Sequence, residues 1–257
     1  MKLLSQVLVS VFLVSSLSFT ANAQFPEVHI AGGFTTHSFI GDQIAANPLV
    51  AHDSLSLPGA SFNGQQLGAT IKAIVYLDSD KKFRMPIGVD YVRYFGAQRI
   101  EVSKFYRIQL FNSLHTITPT LGLDYALLKL PLANANLYTG VELRGTFITN
   151  TQLAQEDYFN YYKTVNGFEL FDRDSLFKVS EIANKPNTFR LGGVVKLGVE
   201  GKIQDPVYLN ISLSYGSPNL FGRDNNRAEL FTPNNTFETM ESVVSQLFFH
   251  FLLQYRL

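Results

Sequence analysis

Two neighbourhoods in this chain bring a hydroxyl close to an imidazole: His37 beside Ser38, and His115 two residues from Ser113. Nucleophilic catalysis needs the base within hydrogen-bond reach of the nucleophile and a third group to orient it. On an extended strand adjacent side chains point to opposite faces, so His37 and Ser38 diverge. Ser113 and His115 share a face, with Glu101 as the carboxylate considered for the third role. No motif surrounds either pair, and no residue is assigned a catalytic role. The sequence carries no phosphate-binding glycine loop, paired-histidine metal motif or EF-hand pattern, so neither a cofactor nor a metal is expected. With 0 Cys, disulfides, cysteine-based metal sites and lipid attachment through a signal-peptide cysteine are excluded. Asn210-Ile211-Ser212 and Asn234-Asn235-Thr236 fit the glycosylation sequon and are read as chance matches.

A second set of reactive groups is defined by position on strands. The clearest two-faced segments are Gly64 to Leu77, Asn136 to Thr149, Phe189 to Glu200 and Pro206 to Tyr215. In the first, Leu67, Ala69, Ile71, Ala73, Val75 and Leu77 oppose Gly68, Thr70, Lys72, Ile74 and Tyr76. Weaker alternation marks Glu27 to His37, Pro86 to Gly96 and His115 to Leu128, where Pro119 implies a bulge or a strand starting at Thr120. The last eleven residues, Leu247 to Leu257, are large and apolar at every odd position, with His250, Gln254 and Arg256 on the other face. Such a strand exposed in water is an aggregation hazard, but as the closing strand of a membrane barrel it meets lipid on one side and a lumen on the other. Eight antiparallel strands follow, in an all-β up-and-down transmembrane barrel over residues 24–257.

The connections alternate in length, which a soluble β-sandwich gives no reason for. Ser38 to Asn63, Ala97 to Leu114, Asn150 to Thr188 and Gly216 to Val244 are long. Asp78 to Met85, Lys129 to Ala135 and Gly201 to Asp205 are short. All long loops therefore fall at one end, the asymmetry of barrels with short periplasmic turns and long outer loops. Balanced charge, 21 basic against 21 acidic residues, advertises no nucleic-acid face. Aromatics at 13% with charged residues at only 16%, against roughly 25% in ordinary soluble domains, suit a lipid-facing wall.

Met1-Lys2, an apolar stretch from Leu3 to Phe19 and the small-x-small triplet Ala21-Asn22-Ala23 read as a cleaved export signal over residues 1–23, with Gln24 as the first mature residue. Export signal, amphipathic strands, one-sided long loops and the aromatic-rich last strand together resemble the small outer-membrane barrels of Gram-negative bacteria, of the OmpA transmembrane-domain, OmpX and OmpW type. The looser "outer membrane protein beta-barrel domain" group is the most similar in character. The resemblance spans essentially Gln24 to Leu257 and is architectural, without a diagnostic motif. It implies a location in the bacterial outer membrane, contact with outer-membrane lipid and lipopolysaccharide, and recognition of the closing strand by the barrel-insertion machinery. The chain departs from the usual terminal aromatic by ending in Leu257, with Tyr255 two before it.

Projected inward, the strands place Lys72, Asp90, Asp124, Glu142, Arg144, Arg190, Lys196, Glu200, His250 and Arg256 in the lumen. An eight-stranded barrel is just wide enough for side chains to fill. Near-balanced charges there are expected to pair as a structural plug, with a narrow passive channel for small or hydrophobic solutes as the alternative. In the third long connection, Tyr158, Phe159, Tyr161, Tyr162, Phe168 and Phe171 flank Asn166-Gly167, a hairpin signal. That hairpin either extends the wall outside the membrane or adds two strands to make ten, and its aromatics are candidates for partner contact. Asp174 and Ser175 are expected to cap a short helix with Leu176, Val179, Ile182 and Ala183 on one face, stopped by Pro186. The leading functional expectation is a non-enzymatic, porin-like barrel protein with structured outer loops that touch a surface or envelope partner. A lipid-A or protein hydrolase at the rim is the second alternative.

Overall fold

A computed structural model describes residues 26–50, 59–131, 134–183, 188–223, 230–231 and 241–257. The expected export signal lies outside the described residues. Nine strands appear in chain order: β1 Val28–Phe39, β2 Gln66–Tyr76, β3 Phe83–Ser103, β4 Tyr106–Leu130, β5 Ala135–Val165, β6 Phe168–Ala183, β7 Thr188–Gln204, β8 Val207–Phe221 and β9 Gln246–Arg256. Every pairing is antiparallel. Of the nine, β6 pairs only with the upper part of β5, so the remaining eight form a ring. The seam is the pairing of β1 with β9, continuous from His29 opposite Arg256 to Phe39 opposite Gln246. Strand β9 is held by β8 on its other side. Closure gives every ring strand a partner on both edges within the membrane, the condition for strands to cross lipid.

Alternation along each strand sorts side chains between two solvents. Ile71, Ile87, Leu121, Leu143, Val195, Leu213 and Leu253 stand exposed on the outside, whereas Lys72, Asp90, Thr120, Glu142, Lys196, Ser212 and Gln254 are buried inside. Phe83, Tyr125 and Tyr255 mark one end of the apolar belt; Phe34, Tyr91, Phe147, Phe189 and Tyr215 mark the other. Paired aromatic bands of this kind sit at the two lipid–water interfaces. At the end near Tyr255 the described turns are tight, with β7 and β8 joined through Asp205 and Pro206 alone.

At the opposite end the wall continues beyond the lipid, and three sequence expectations are corrected there. Ala97 to Leu114 is no loop: β3 and β4 remain paired up to Ser103 opposite Tyr106. Alternation fades in this stretch because a wall standing in water needs no apolar outer face, while the backbone ladder persists. The ten-strand variant is likewise not adopted, since β5 and β6 form a hairpin above the ring. Asn166 (φ 51°) and Gly167 (φ 82°) both take positive φ, as a two-residue hairpin turn demands. Finally, residues 174–183 are strand, not helix. The ladder between β5 and β6 carries three register shifts, each inserting a residue. The shifts stretch apolar spacing from two residues to three, which in sequence imitates a helical face. The supposed stop at Pro186 lies outside the described residues.

Pro119 causes neither a bulge nor a new start. Strand β4 runs through it with Val89 as its partner on β3. The β5 ladder passes over Thr118 and Pro119, where the proline has no N–H to donate.

Candidate functional site

The interior is built in two layers. In the half nearer the short turns, four cations and four carboxylates interlock: Lys72, Arg84, Arg144 and Lys196 with Asp90, Asp124, Glu142 and Glu200. Glu142 on β5 accepts from Lys72 Nζ at 2.8 Å and from Arg144 Nη1 at 2.6 Å. Arg144 also donates through Nη2 to Asp90 at 2.6 Å, and His250 Nε2 lies 3.4 Å from the same oxygen. Lys196 joins Asp124 at 2.8 Å and Glu142 at 3.7 Å. Arg84 donates to Asp124 at 3.1 Å, pairs with Glu200, and lies 3.6 Å from the centre of the Tyr138 ring. All eight charged residues are at most 6% exposed. A charge removed from water this completely is tolerable only with partners, and here each has one. Charges cancel within the layer, so it attracts no particular ion.

The sequence-predicted residues divide into three groups. Lys72, Asp90, Asp124, Glu142, Arg144, Lys196, Glu200 and His250 meet in this network. Arg190 is also inside but higher, forming a two-pronged pair with Glu241, with Nη2 to Oε2 at 2.6 Å. Arg256 is not in the lumen. It sits at the turn-side rim, partly exposed, and pairs with Asp205 at 2.6 Å. Arg256 keeps the inward parity of β9, but the strand reaches the mouth before it, and the neighbouring turn supplies the anion. Arg84 and Glu241 had no signal in the alternation: Arg84 fell in what read as a turn before Pro86, and Glu241 in what read as a loop.

The outer half is filled by apolar side chains. Tyr94, Val92, Leu114 and Ile148 from the wall pack with Ala45, Ala60, Phe62, Leu230, Phe231 and Val244 from the two long connections, and Phe39 joins them. Phe231 meets Phe39 at 5.1 Å and Tyr94 at 4.9 Å between ring centres. The two connections are also stitched together: Gln43 donates to the Ser245 carbonyl at 2.8 Å and accepts from the Ser245 N–H at 2.9 Å. Asn219 donates to Glu241 at 2.8 Å and accepts from the Val244 N–H at 2.9 Å, so the Arg190–Glu241 pair anchors the second connection to β7 and β8. The described parts of the first and fourth long connections thus form a cork.

The serine–histidine neighbourhoods do not assemble. His37 is buried beneath the cork, with Nδ1 2.7 Å from the Tyr94 hydroxyl, and its partner Ser38 lies on the other face of β1. His115 faces outward and bonds the Tyr91 hydroxyl. Glu101 pairs with Arg99 and stands opposite Arg107, eight residues along β4 from His115, or roughly 26 Å at strand spacing.

Beyond the lipid, β3 to β6 make a projecting sheet. Phe159, Tyr161, Phe168 and Phe171 are exposed at 41%, 46%, 73% and 52%, while Tyr158 and Tyr162 are half-buried. Phe159 packs on Phe177 at 5.1 Å and Tyr162 on Phe171 at 5.7 Å. Arg107 lies over Tyr158 at 4.4 Å and pairs with Asp174; Arg173 lies over Tyr161 at 5.5 Å. The Glu156 carboxylate that accepts from Tyr158 pushes that phenol above its ordinary range. The outer edge of β6 has no strand beside it among the described residues.

A closed antiparallel ring with an apolar exterior, aromatic bands and a charged interior defines a small transmembrane β-barrel of the bacterial outer-membrane type. Among solved structures the chain is similar to Neisserial surface protein A, at 12% identity over 90% of this chain and 96% of that one, with a TM-score of 0.37. It is also similar to Ail, the attachment invasion locus protein of Yersinia pestis, in complex with the heparin analogue sucrose octasulfate, at 8% identity over 91% of this chain and 100% of that one, with a TM-score of 0.40. No family model matches the chain, and no curated protein does. The barrel assignment rests on the strand register and the two-faced walls of this chain.

Proposed function

We propose that this protein is a non-enzymatic outer-membrane barrel that carries a surface-interaction platform. The observation that bears the reading is the projecting β3–β6 sheet, whose uncovered β6 edge exposes Phe168, Phe171 and Phe177 among charged side chains of both signs. Large apolar side chains in water are costly to leave uncovered, and aromatic residues beside arginine are the side chains that dominate protein contact surfaces. The locked lumen and the cork serve this role as a rigid mount. The partner class is a protein or envelope component at the cell surface. Delivery depends on the export signal over residues 1–23 and on recognition of β9 by the insertion machinery; lipopolysaccharide surrounds the outer half of the belt.

The test places a photo-crosslinking amino acid at Phe168 and, separately, at outward Val195 in the lipid belt, in cells of the native host. Discrete protein or glycan adducts at 168 that are absent at 195 are expected. Identical adduct patterns at the two positions contradict a platform. A narrow channel has less support, because the cork and the ion-paired layer both occupy the lumen. A rim hydrolase has less still, because neither serine–histidine pair acquires a third member.

A further inference from the structure

A polar row stands on the outer wall of the barrel just beyond the aromatic band that ends the apolar belt. Arg93 on β3, His115 on β4 and Asn150 on β5 are direct cross-strand neighbours, side by side on the outward face. The next outward row toward the membrane interior is Tyr91, Ile117 and Phe147, wholly within the apolar belt. Phe189 on β7 extends that apolar row, opposite Phe147.

The row is shaped as well as placed. The ladder between β4 and β5 shifts register between His115 and Thr116, and the shift turns Asn150 outward opposite His115. The Thr149 hydroxyl ties the bulge by donating to the His115 carbonyl at 3.3 Å. The Tyr91 hydroxyl bonds Nδ1 of His115; with that hydroxyl donating, Nε2 carries the N–H of the ring. Arg93 forms no ion pair among the described residues, and no carboxylate stands in the row or in the outward rows adjoining it.

We propose that Arg93, His115 and Asn150 form a cradle for the phosphate of an anionic lipid in the outer leaflet. Guanidinium, imidazole N–H and amide NH2 rise from three neighbouring strands about 5 Å apart, a spacing from which the side chains can converge on the oxygens of one headgroup phosphate. The apolar row beneath receives the acyl chains. A lipid, and not free phosphate, is the ligand because the cradle is continuous with the belt. The inference rests on the membrane-barrel reading above.

Native mass spectrometry of the detergent-purified barrel, titrated with phosphatidylglycerol or phosphatidylcholine, tests it. The first phosphatidylglycerol adduct is expected at about fivefold lower concentration than the first phosphatidylcholine adduct. The Arg93→Gln/Asn150→Ala variant, altered only on the outer face, is expected to lose that preference while keeping the heat-sensitive gel mobility of a folded barrel. Equal uptake of both lipids by the wild-type chain, or an unchanged preference in the variant, overturns the cradle. Suppression of the preference by excess inorganic phosphate assigns the row to free phosphate and overturns the lipid. A wild-type chain without heat-sensitive mobility fails the barrel reading itself, which separates the two failures.

Discussion

Glu142 holds the charge balance of the lumen, because Lys72 and Arg144 both depend on it. Replacing it with Ala leaves two buried cations short of a partner, and loss of one member of a buried pair costs about 3–5 kcal/mol. Glu142→Ala is expected to lower the urea stability of the barrel in detergent by that amount, read as loss of the folded gel band. Lys81→Ala, at a partly exposed rim pair, is expected to change it by less than about 1 kcal/mol. At the same rim, partial burial pushes the Glu27 carboxyl up, but hydrogen bonds from Lys81 and His29 outweigh it and hold the group below its ordinary value of 4.5. A depressed carboxylate stabilises the folded state above its unfolded value and loses that contribution as pH falls through the lower, folded value. Acidification below about pH 4.5 is therefore expected to reduce stability less in Glu27→Gln than in the wild-type chain, in urea titrations at pH 7 and pH 3. Inward charges on regular alternation, such as Lys72 and Glu142, were legible in the sequence. Arg84 was not, because Pro86 looked like the start of β3 and hid the three residues of ladder before it, Phe83 to Met85.

The β5–β6 hairpin shows how far alternation reaches. Its turn and the first residues of the returning strand were legible, since Asn-Gly is the pair that accepts positive φ at both positions, but the strand from Asp174 to Ala183 was not. Three inserted residues break the period of two, and the spacing of Leu176, Val179 and Ile182 then satisfies a helical pattern equally well. Gly167→Val tests the turn. A β-branched residue at φ 82° is strained by roughly 1–2 kcal/mol. The variant is expected to gain protease cleavage near the hairpin tip while the ring keeps its folded mobility. A second element, the connection anchored by Arg190, is tested by Glu241→Gln. Exchange of a charge-assisted pair for a neutral one costs about 1.5–3 kcal/mol, and trypsin cleavage after Arg223 is expected to accelerate.

At the scale of the whole molecule, ring closure explains why an apolar exterior is tolerated. Each edge of the eight ring strands within the membrane is consumed by a neighbour, and the seam between β1 and β9 is tight enough that a Cβ at Gly33 collides with the Phe251 carbonyl. The number of ring strands, their order and the closing pair could all be read from two-faced segments and loop lengths, because lipid imposes the pattern on every span. The cork could not, since it is made by long-range packing of Phe62, Phe231 and Tyr94 from segments that look like loops. Those contacts decide between an open pore and a closed mount. Planar-bilayer recording tests this most directly, on a preparation whose unheated band has the mobility of a folded barrel. The closed lumen predicts no sustained conductance from the wild-type protein; steady, ohmic single-channel steps from that preparation would contradict it.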